Sequence, residues 1–212
     1  SFLSKKSLEH YASKIDFKRA KVYEKSLFPN HPDTIYLTVR DKNGMTISFI
    51  NSLFDPFGSG ITAPKSGILF HCRGRGFNLI EGHPNKLCPN KRPLHTIIPA
   101  MISKKNKLIG SFGVMGGQYQ AAGHAYVLSQ MIDYGLSPQE ALDLPRVFPN
   151  NNVLDFEKNF DNSVIQDMIS RGHEINYAVS PIGGGQIILV DIDKNILIGA
   201  SDFRKDGCAI GY

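Results

Sequence analysis

At 212 residues, 42% hydrophobic and 20% charged, the chain can bury one substantial core or form a large part of a bigger one. Its formal net charge of +5 lies in short clusters such as Lys104-Lys105-Asn106-Lys107, which read as solvated turns and give no nucleic-acid stripe. Cys72, Cys88 and Cys208 are an odd, irregularly spaced set that argues against a disulfide framework, and no apolar run approaches the ~18–20 residues of a membrane span.

The opening segment "SKKSLEHYASKIDFKRAKVYEK" carries Leu8, Tyr11 and Ile15 at helical spacing. With Ser4 or Ser7 as N-cap, it predicts a short polar-faced helix and then a linker to Asp33. Charge interrupts this segment too early for a secretory signal, which leaves open a signal upstream of it. A hairpin follows, with strands Thr34–Arg40 and Met45–Leu53 about the turn formers Asn43-Gly44. "DPFGSG" breaks the second strand, and Ile68–Phe70 reads as another short one. From Arg73 to Pro93 the richness in Gly, Pro and Asn predicts a long ordered loop.

Strands are expected next at Thr96–Ser103 and Leu108–Gly113, then a helix over Gln118–Tyr134 with Ala122, Ala125, Leu128 and Ile132 on its apolar face. "SPQEALDLP" has the form of a helix start, with Ser137 as N-cap, Pro138 first in the helix and Glu140 as the reciprocal cap. A third helix is predicted over Ser163–Arg171, stopped by Gly172, and strands over Gln186–Asp191 and Ile196–Ser201. Strands, then helices, then strands predict a single α+β layered domain, antiparallel sheet beneath a helical layer.

Thr34 has two readings. It is a β-branched residue suited to begin a strand, and it is a hydroxyl that becomes a nucleophile if a base lies beside it. The simplest base is its own α-amino group, with an ordinary pKa of about 7.7–8.0, which exists only after cleavage of the bond before Thr34. The preceding "FPNHPD" disfavours regular structure and suits such a cleavage site. An amide-cleaving site also needs donors for the oxyanion, and Gly116-Gly117 at a strand–helix junction lets backbone N–H groups approach a substrate. The alternative there is a tight turn. His71, Cys72, His83, Cys88 and His95 lack the close pairing of a zinc site, so no metal is expected.

The segments "DTIYLTVRDKNG", "FGSGI", "SGIL", "NKRPLHTIIPAMI", "GVMGG", "IDYGLSPQEALDLPR", "RGHEI" and "GASDFRKDGCAIGY" occur in the order found in gamma-glutamyltranspeptidases. From Asp33 to Tyr212 the chain resembles that family's catalytic small subunit, in a divergent branch that also holds cephalosporin acylases. The resemblance implies a four-layer αββα N-terminal-nucleophile hydrolase sandwich, incomplete without a large subunit. It divides the chain into residues 1–33, the end of a large-subunit-like segment with its linker, and residues 34–212, the catalytic part.

By the same resemblance Thr34 is the nucleophile and self-cleavage residue, Ser52 the hydroxyl that supports it, and Gly116 and Gly117 the oxyanion-hole pair. Arg92-Pro93 keeps the loop signature that leads to the substrate carboxylate site. There the family's two serines are replaced by His95-Thr96, and its amide two residues after the supporting hydroxyl is replaced by Phe54. The acidic residue that binds the substrate ammonium falls within "HCRGRGF", which contains no acid. Arg73 and Arg75 in that segment favour an acidic or neutral acyl group if they face the site, and are otherwise a solvated loop.

The implied activity is a gamma-glutamyltranspeptidase-like amide hydrolase or acyltransferase, with no cofactor. The alternatives are an acylase of the same fold acting on a non-glutamyl amide, and an unprocessed homologue without activity. The expected partners are a small amide substrate and a large-subunit segment on the same precursor or a separate chain, with homo-oligomers possible and neither nucleic acid nor membrane. The expected compartment is the cytoplasm. Since 33 residues precede Thr34, an uncleaved chain is expected to be silent, its amide nitrogen unable to act as base.

Overall fold

The computed structural model describes residues 3–23 and 33–212; the rest of the expected linker, including the segment ahead of Thr34, lies outside the described residues. In chain order the elements are α1 (Lys5–Ala12), β1 (Asp33–Arg40), β2 (Thr46–Phe54), a 3-10 turn (Arg73–Gly76), β3 (Ala100–Lys104), β4 (Lys107–Met115), α2 (Tyr119–Ile132) and α3 (Pro138–Asp143). There follow β5 (Val147–Asn150), β6 (Val153–Phe156), α4 (Asn162–Ser170), β7 (Glu174–Tyr177), β8 (Gly184–Asp191) and β9 (Ile196–Ser201). Two compact units form: Ser1–Ser26 with Pro145–Val179, and Leu27–Leu144 with Ser180–Tyr212.

The larger unit is layered. Its main sheet has the order β3-β4-β8-β9, all antiparallel, and β1-β2 form a second, two-stranded antiparallel sheet. Side chains alternate across a strand, and β4 uses both faces. On one face Gly113 lies against the Tyr36 ring of β1, Ser111 Oγ is hydrogen-bonded to Thr38 Oγ1, and Met115 packs with Tyr36, Ile50 and Ile97. On the other, Phe112 meets His124 of α2 with ring centroids 5.0 Å apart, and Val114 lies beneath Gly123. The order is therefore helix, four-stranded sheet, two-stranded sheet.

Helix α2 is pinned to β4 by His124. Its Nδ1 meets Gln120 O at 2.6 Å, and its Nε2 accepts from Val114 N–H at 3.3 Å. Burial holds the imidazole below its ordinary pKa and so keeps it neutral, as an acceptor nitrogen requires. Helix α3 starts as predicted: Ser137 Oγ accepts from Glu140 N–H, and the Glu140 carboxylate accepts from Ser137 N–H at 2.8 Å. Beyond its end, the buried pair Arg204–Asp202 closes the unit. Arg204 donates to the carbonyls of Leu142 and Leu144, and Asp202 accepts from Gly185 N–H at 2.9 Å.

In the smaller unit β5, β6 and β7 form a sheet in that order, with β6 and β7 parallel and joined through α4. The predicted helices are present, α1 capped by Ser4 and α4 by Asp161. The apolar side of α1 stays open to water, with Leu8 54% exposed. Residues 16–23 are tied down by hydrogen bonds from Ala20 N–H to Arg171 O at 2.7 Å and from Tyr23 N–H to Asn152 Oδ1 at 2.7 Å.

Two strand expectations are corrected. Ile68–Phe70 is no strand: the segment closes on itself through Phe70 N–H to Ile61 O at 2.9 Å, leaving a single bridge between Thr62 and Leu69. The strand expected from Thr96 begins at Ala100 instead, because Pro99 has no N–H to enter a ladder.

Candidate active site

Thr34 is half-buried in the first turn of pairing between β1 and β2. Asp33 stands opposite Phe54 but Thr34 stands opposite Ser52, so Leu53 is an extra residue and the ladder is irregular at the Asp33–Thr34 bond. This register brings two hydroxyls together. Thr34 Oγ1 donates to Ser52 Oγ at 3.1 Å, and the same oxygen accepts from Phe54 N–H at 3.1 Å. Phe54 has φ +80°, a left-handed conformation rare for a bulky residue, which costs on the order of 1–3 kcal/mol and persists where surroundings impose it.

The segment after β2 folds back along that strand end. Cys72 N–H donates to Leu53 O at 3.0 Å, and the Cys72 thiol to Asp55 at 3.3 Å. The 3-10 turn then splits the two arginines. Arg75 is turned to an ion pair with Asp55. Arg73 is only 7% exposed, with Cζ 5.2 Å from the Phe54 ring centroid, and Nη1 donates to Thr96 Oγ1 at 3.0 Å. Among the described residues its buried Nη2 has no hydrogen-bond acceptor. Burial lowers the pKa of this guanidinium, with the Cys72 side chain acting in the opposite direction.

Gly116 and Gly117 lie between β4 and α2 with φ +132° and +59°. A Cβ on Gly116 would come 2.8 Å from the Cα of Gly183, so both the conformation and the space require glycine. The carbonyls of this pair accept from Tyr119 and Gln120 N–H at 3.1 and 3.3 Å, which fixes the turn as the first step of α2.

Of the residues singled out from sequence, Thr34 is thus joined to Ser52, and Arg73 to Thr96. Arg75 is held by Asp55, and His95 is exposed. Gly116 and Gly117 sit at the end of the strand that packs on β1. Sequence reasoning did not single out Asp55 as a partner of Arg75. Its signal was the turn-forming "FDPFG", in which Gly58 N–H donates to Asp55 O at 2.8 Å. Among the described residues no group of three His, Cys, Asp or Glu side chains is placed to hold a metal ion, and no helix is long and apolar enough to cross a membrane.

The family model for gamma-glutamyltranspeptidase matches residues 1–212. The glutathione hydrolase-like YwrD proenzyme of Bacillus subtilis is 36% identical over 191 residues, covering 86% of this chain and 36% of that protein. The oxamate amidohydrolase proenzyme of Klebsiella pneumoniae is 30% identical over 218 residues, covering 99% of this chain and 41% of that protein. The crystal structure of cephalosporin acylase from Bacillus halodurans superposes with a TM-score of 0.87 at 37% identity, over 99% of this chain and 39% of that one. The chain spans less than half the length of each. Over that span it carries the N-terminal-nucleophile hydrolase fold and belongs to the gamma-glutamyltranspeptidase family.

Proposed function

We propose that the chain is the catalytic part of an amide hydrolase or acyltransferase in which Thr34 is the nucleophile. The observation that carries this is the Thr34–Ser52 hydroxyl pair, set at the one irregular step of the β1–β2 ladder. In self-cleavage, Thr34 Oγ attacks the Asp33 carbonyl carbon, the C–N bond breaks, and the resulting ester is hydrolysed by water. Thr34 is left with a free amine. In turnover, that amine takes the hydroxyl proton as Oγ attacks the substrate carbonyl and later delivers it to the leaving amine. Water, or an acceptor amine, then releases the acyl group from Oγ. Ser52 orients the hydroxyl and the amine.

Gly116 and Gly117 are the proposed oxyanion donors. Two contacts support this. Thr38 meets Ser111 and Tyr36 meets Gly113, so the strands run past each other in opposite directions, and one further step brings Thr34 to the Met115–Gly116 end of β4. Amides at the start of α2 also suit a developing negative charge.

In this reading residues 34–212 form the catalytic part and residues 1–33 belong to the end of a large-subunit-like segment, which also makes the large subunit a partner. The substrate is a small amide held by the segment around Arg73, Arg75, His95 and Thr96. The naming of the relatives as proenzymes supports a self-cleaving precursor. Free Cys72, Cys88 and Cys208 suit the cytoplasm as compartment. An acylase acting on a non-glutamyl amide is favoured by one observation, the absence of any acid in residues 71–77.

The test is Thr34→Ala in the full-length protein, followed by intact mass and amide hydrolysis. Both the cleavage before residue 34 and turnover are expected to vanish. Cleavage that persists in this variant removes the assignment.

A further inference from the structure

The turn that carries Gly116 and Gly117 has little stiffness of its own, because glycine populates positive φ as readily as negative φ. Its two carbonyls are held by Tyr119 and Gln120 N–H at 3.1 and 3.3 Å, which seats the turn on α2 but not on the strand before it. A polar link between strand and helix is supplied by the buried imidazole of His124, a titratable group for which the Thr34 chemistry has no use.

The ring reaches both sides of the turn. Its Nε2 accepts from Val114 N–H at 3.3 Å, two residues before Gly116, and its Nδ1 donates to Gln120 O at 2.6 Å, three residues after Gly117. Val114 lies beyond the last pair of the β3–β4 ladder, Ala100 with Phe112, so the ring serves the strand where its neighbouring strand has ended. The side chain is only 8% exposed and rests against Phe112. Next to it on α2, Gly123 allows an approach so close that a Cβ there would come 2.7 Å from a methyl of Val114. The two ring nitrogens are distinct and rigidly spaced, so one acceptor and one donor hold strand and helix at a fixed separation.

Resting on the reading of Gly116 and Gly117 as oxyanion donors, we propose that His124 is their positioning residue: it clamps both ends of the turn and so holds the two amides where the oxyanion develops. An oxyanion hole is effective because its donors are fixed before the charge appears, and donors that must first be reoriented lose that advantage. In this role the imidazole transfers no proton and touches no substrate.

The experiment compares His124→Leu, His124→Gln and Val127→Ala with wild type, all as full-length protein. The substrates are γ-glutamyl and glutaryl p-nitroanilide, with kcat expressed per Thr34-cleaved chain as counted by intact mass. Leucine fills the space of the ring but offers neither bond; kcat is expected to fall by about 10- to 100-fold, as for a misplaced reacting group, while KM stays near its wild-type value. Glutamine returns an amide oxygen close to the position of Nε2 and should recover part of the loss. Val127→Ala hollows the buried face of the same helix and should lower stability yet leave kcat unchanged. Amide hydrogen exchange gives a second reading: in His124→Leu the Tyr119 and Gln120 amides should exchange faster, while those of the β8–β9 ladder keep their wild-type rates. An unchanged kcat in His124→Leu, no recovery in His124→Gln, or a loss matched by Val127→Ala overturns the proposal while leaving Thr34 in its role. If wild type hydrolyses neither anilide, the failure lies with the Thr34 reading, and exchange alone decides the clamp: selective loosening at Tyr119 and Gln120 upholds it, and unaltered exchange overturns it.

Discussion

Replacing Gly113 with alanine perturbs the stacking that sets β1 against β4. An ideal Cβ there would lie 2.4 to 2.6 Å from three atoms of the Tyr36 ring, against about 3.5–4.0 Å for carbon atoms in contact. The ring would have to retreat by about 1 Å, yet it is 6% exposed and its hydroxyl is held by Ser48 at 2.7 Å. Overpacking of this kind costs about 1–3 kcal/mol, loss of the Tyr36–Ser48 bond adds about 1, and the stiffer unfolded chain returns up to about 1. The expected destabilisation is about 2–3 kcal/mol, read from urea unfolding of the full-length protein. Gly74→Ala, where the new methyl meets nothing, is the control. In a Tyr36→Val background the cost of Gly113→Ala should fall below about 1 kcal/mol, because the obstructing ring is gone. An equal cost in both backgrounds refutes the stacking.

Ser52→Ala removes the oxygen that takes both the Thr34 hydroxyl and the Phe54 N–H; initial rates should fall about 100-fold, as for a misplaced reacting group, and Ser52→Thr should recover most of the loss. The pH dependence of stability should carry the mark of His124, whose pKa is lower in the folded chain than the 6.5 of the unfolded one. Its contribution is intact above about pH 6.5 and declines as the pH falls towards the lower native value, by up to about 1.4 kcal/mol per pH unit. Thermal melts between pH 7 and 5 measure this, and His124→Gln should flatten the slope. The exposed carboxylates of Glu140 and Asp161, also lowered by their capping bonds, act only below about pH 4.5 and do not confuse the window.

Much of the fold could be read from local chemistry. The capping box at Ser137, the Asn43-Gly44 turn and the apolar rows of β4 and β8 are decided within a few residues, and there expectation and structure agree to within two residues at most ends. The smaller unit was missed because β5, β6 and β7 have four residues each and Pro149 sits inside one of them. A usable signal existed in Asn151-Asn152, which both take positive φ and close a two-residue hairpin loop. The pairing of Thr34 with Ser52 needed the register of two strands, and a family resemblance supplied it where composition could not. The division of labour between Arg73 and Arg75 was beyond sequence reasoning, since the two arginines of "RGRG" look alike until the turn sends one to Asp55 and the other under cover.

The two-stranded sheet has an outer side. Ile35, Leu37 and Val39 of β1 and Ile47 and Phe49 of β2 are each between 43% and 60% exposed, and they form one continuous oily surface because Leu37 stands opposite Phe49 and Val39 opposite Ile47. Each such side chain gains roughly 1.5–3 kcal/mol when fully withdrawn from water. A preparation of these residues alone will therefore be sticky: it should bind ANS strongly and drift towards aggregates as its concentration rises. Anything that shields this surface also braces the strand on which Thr34 sits, so on the proposed reading of Thr34 solubility and catalytic alignment are two readings of the same contact.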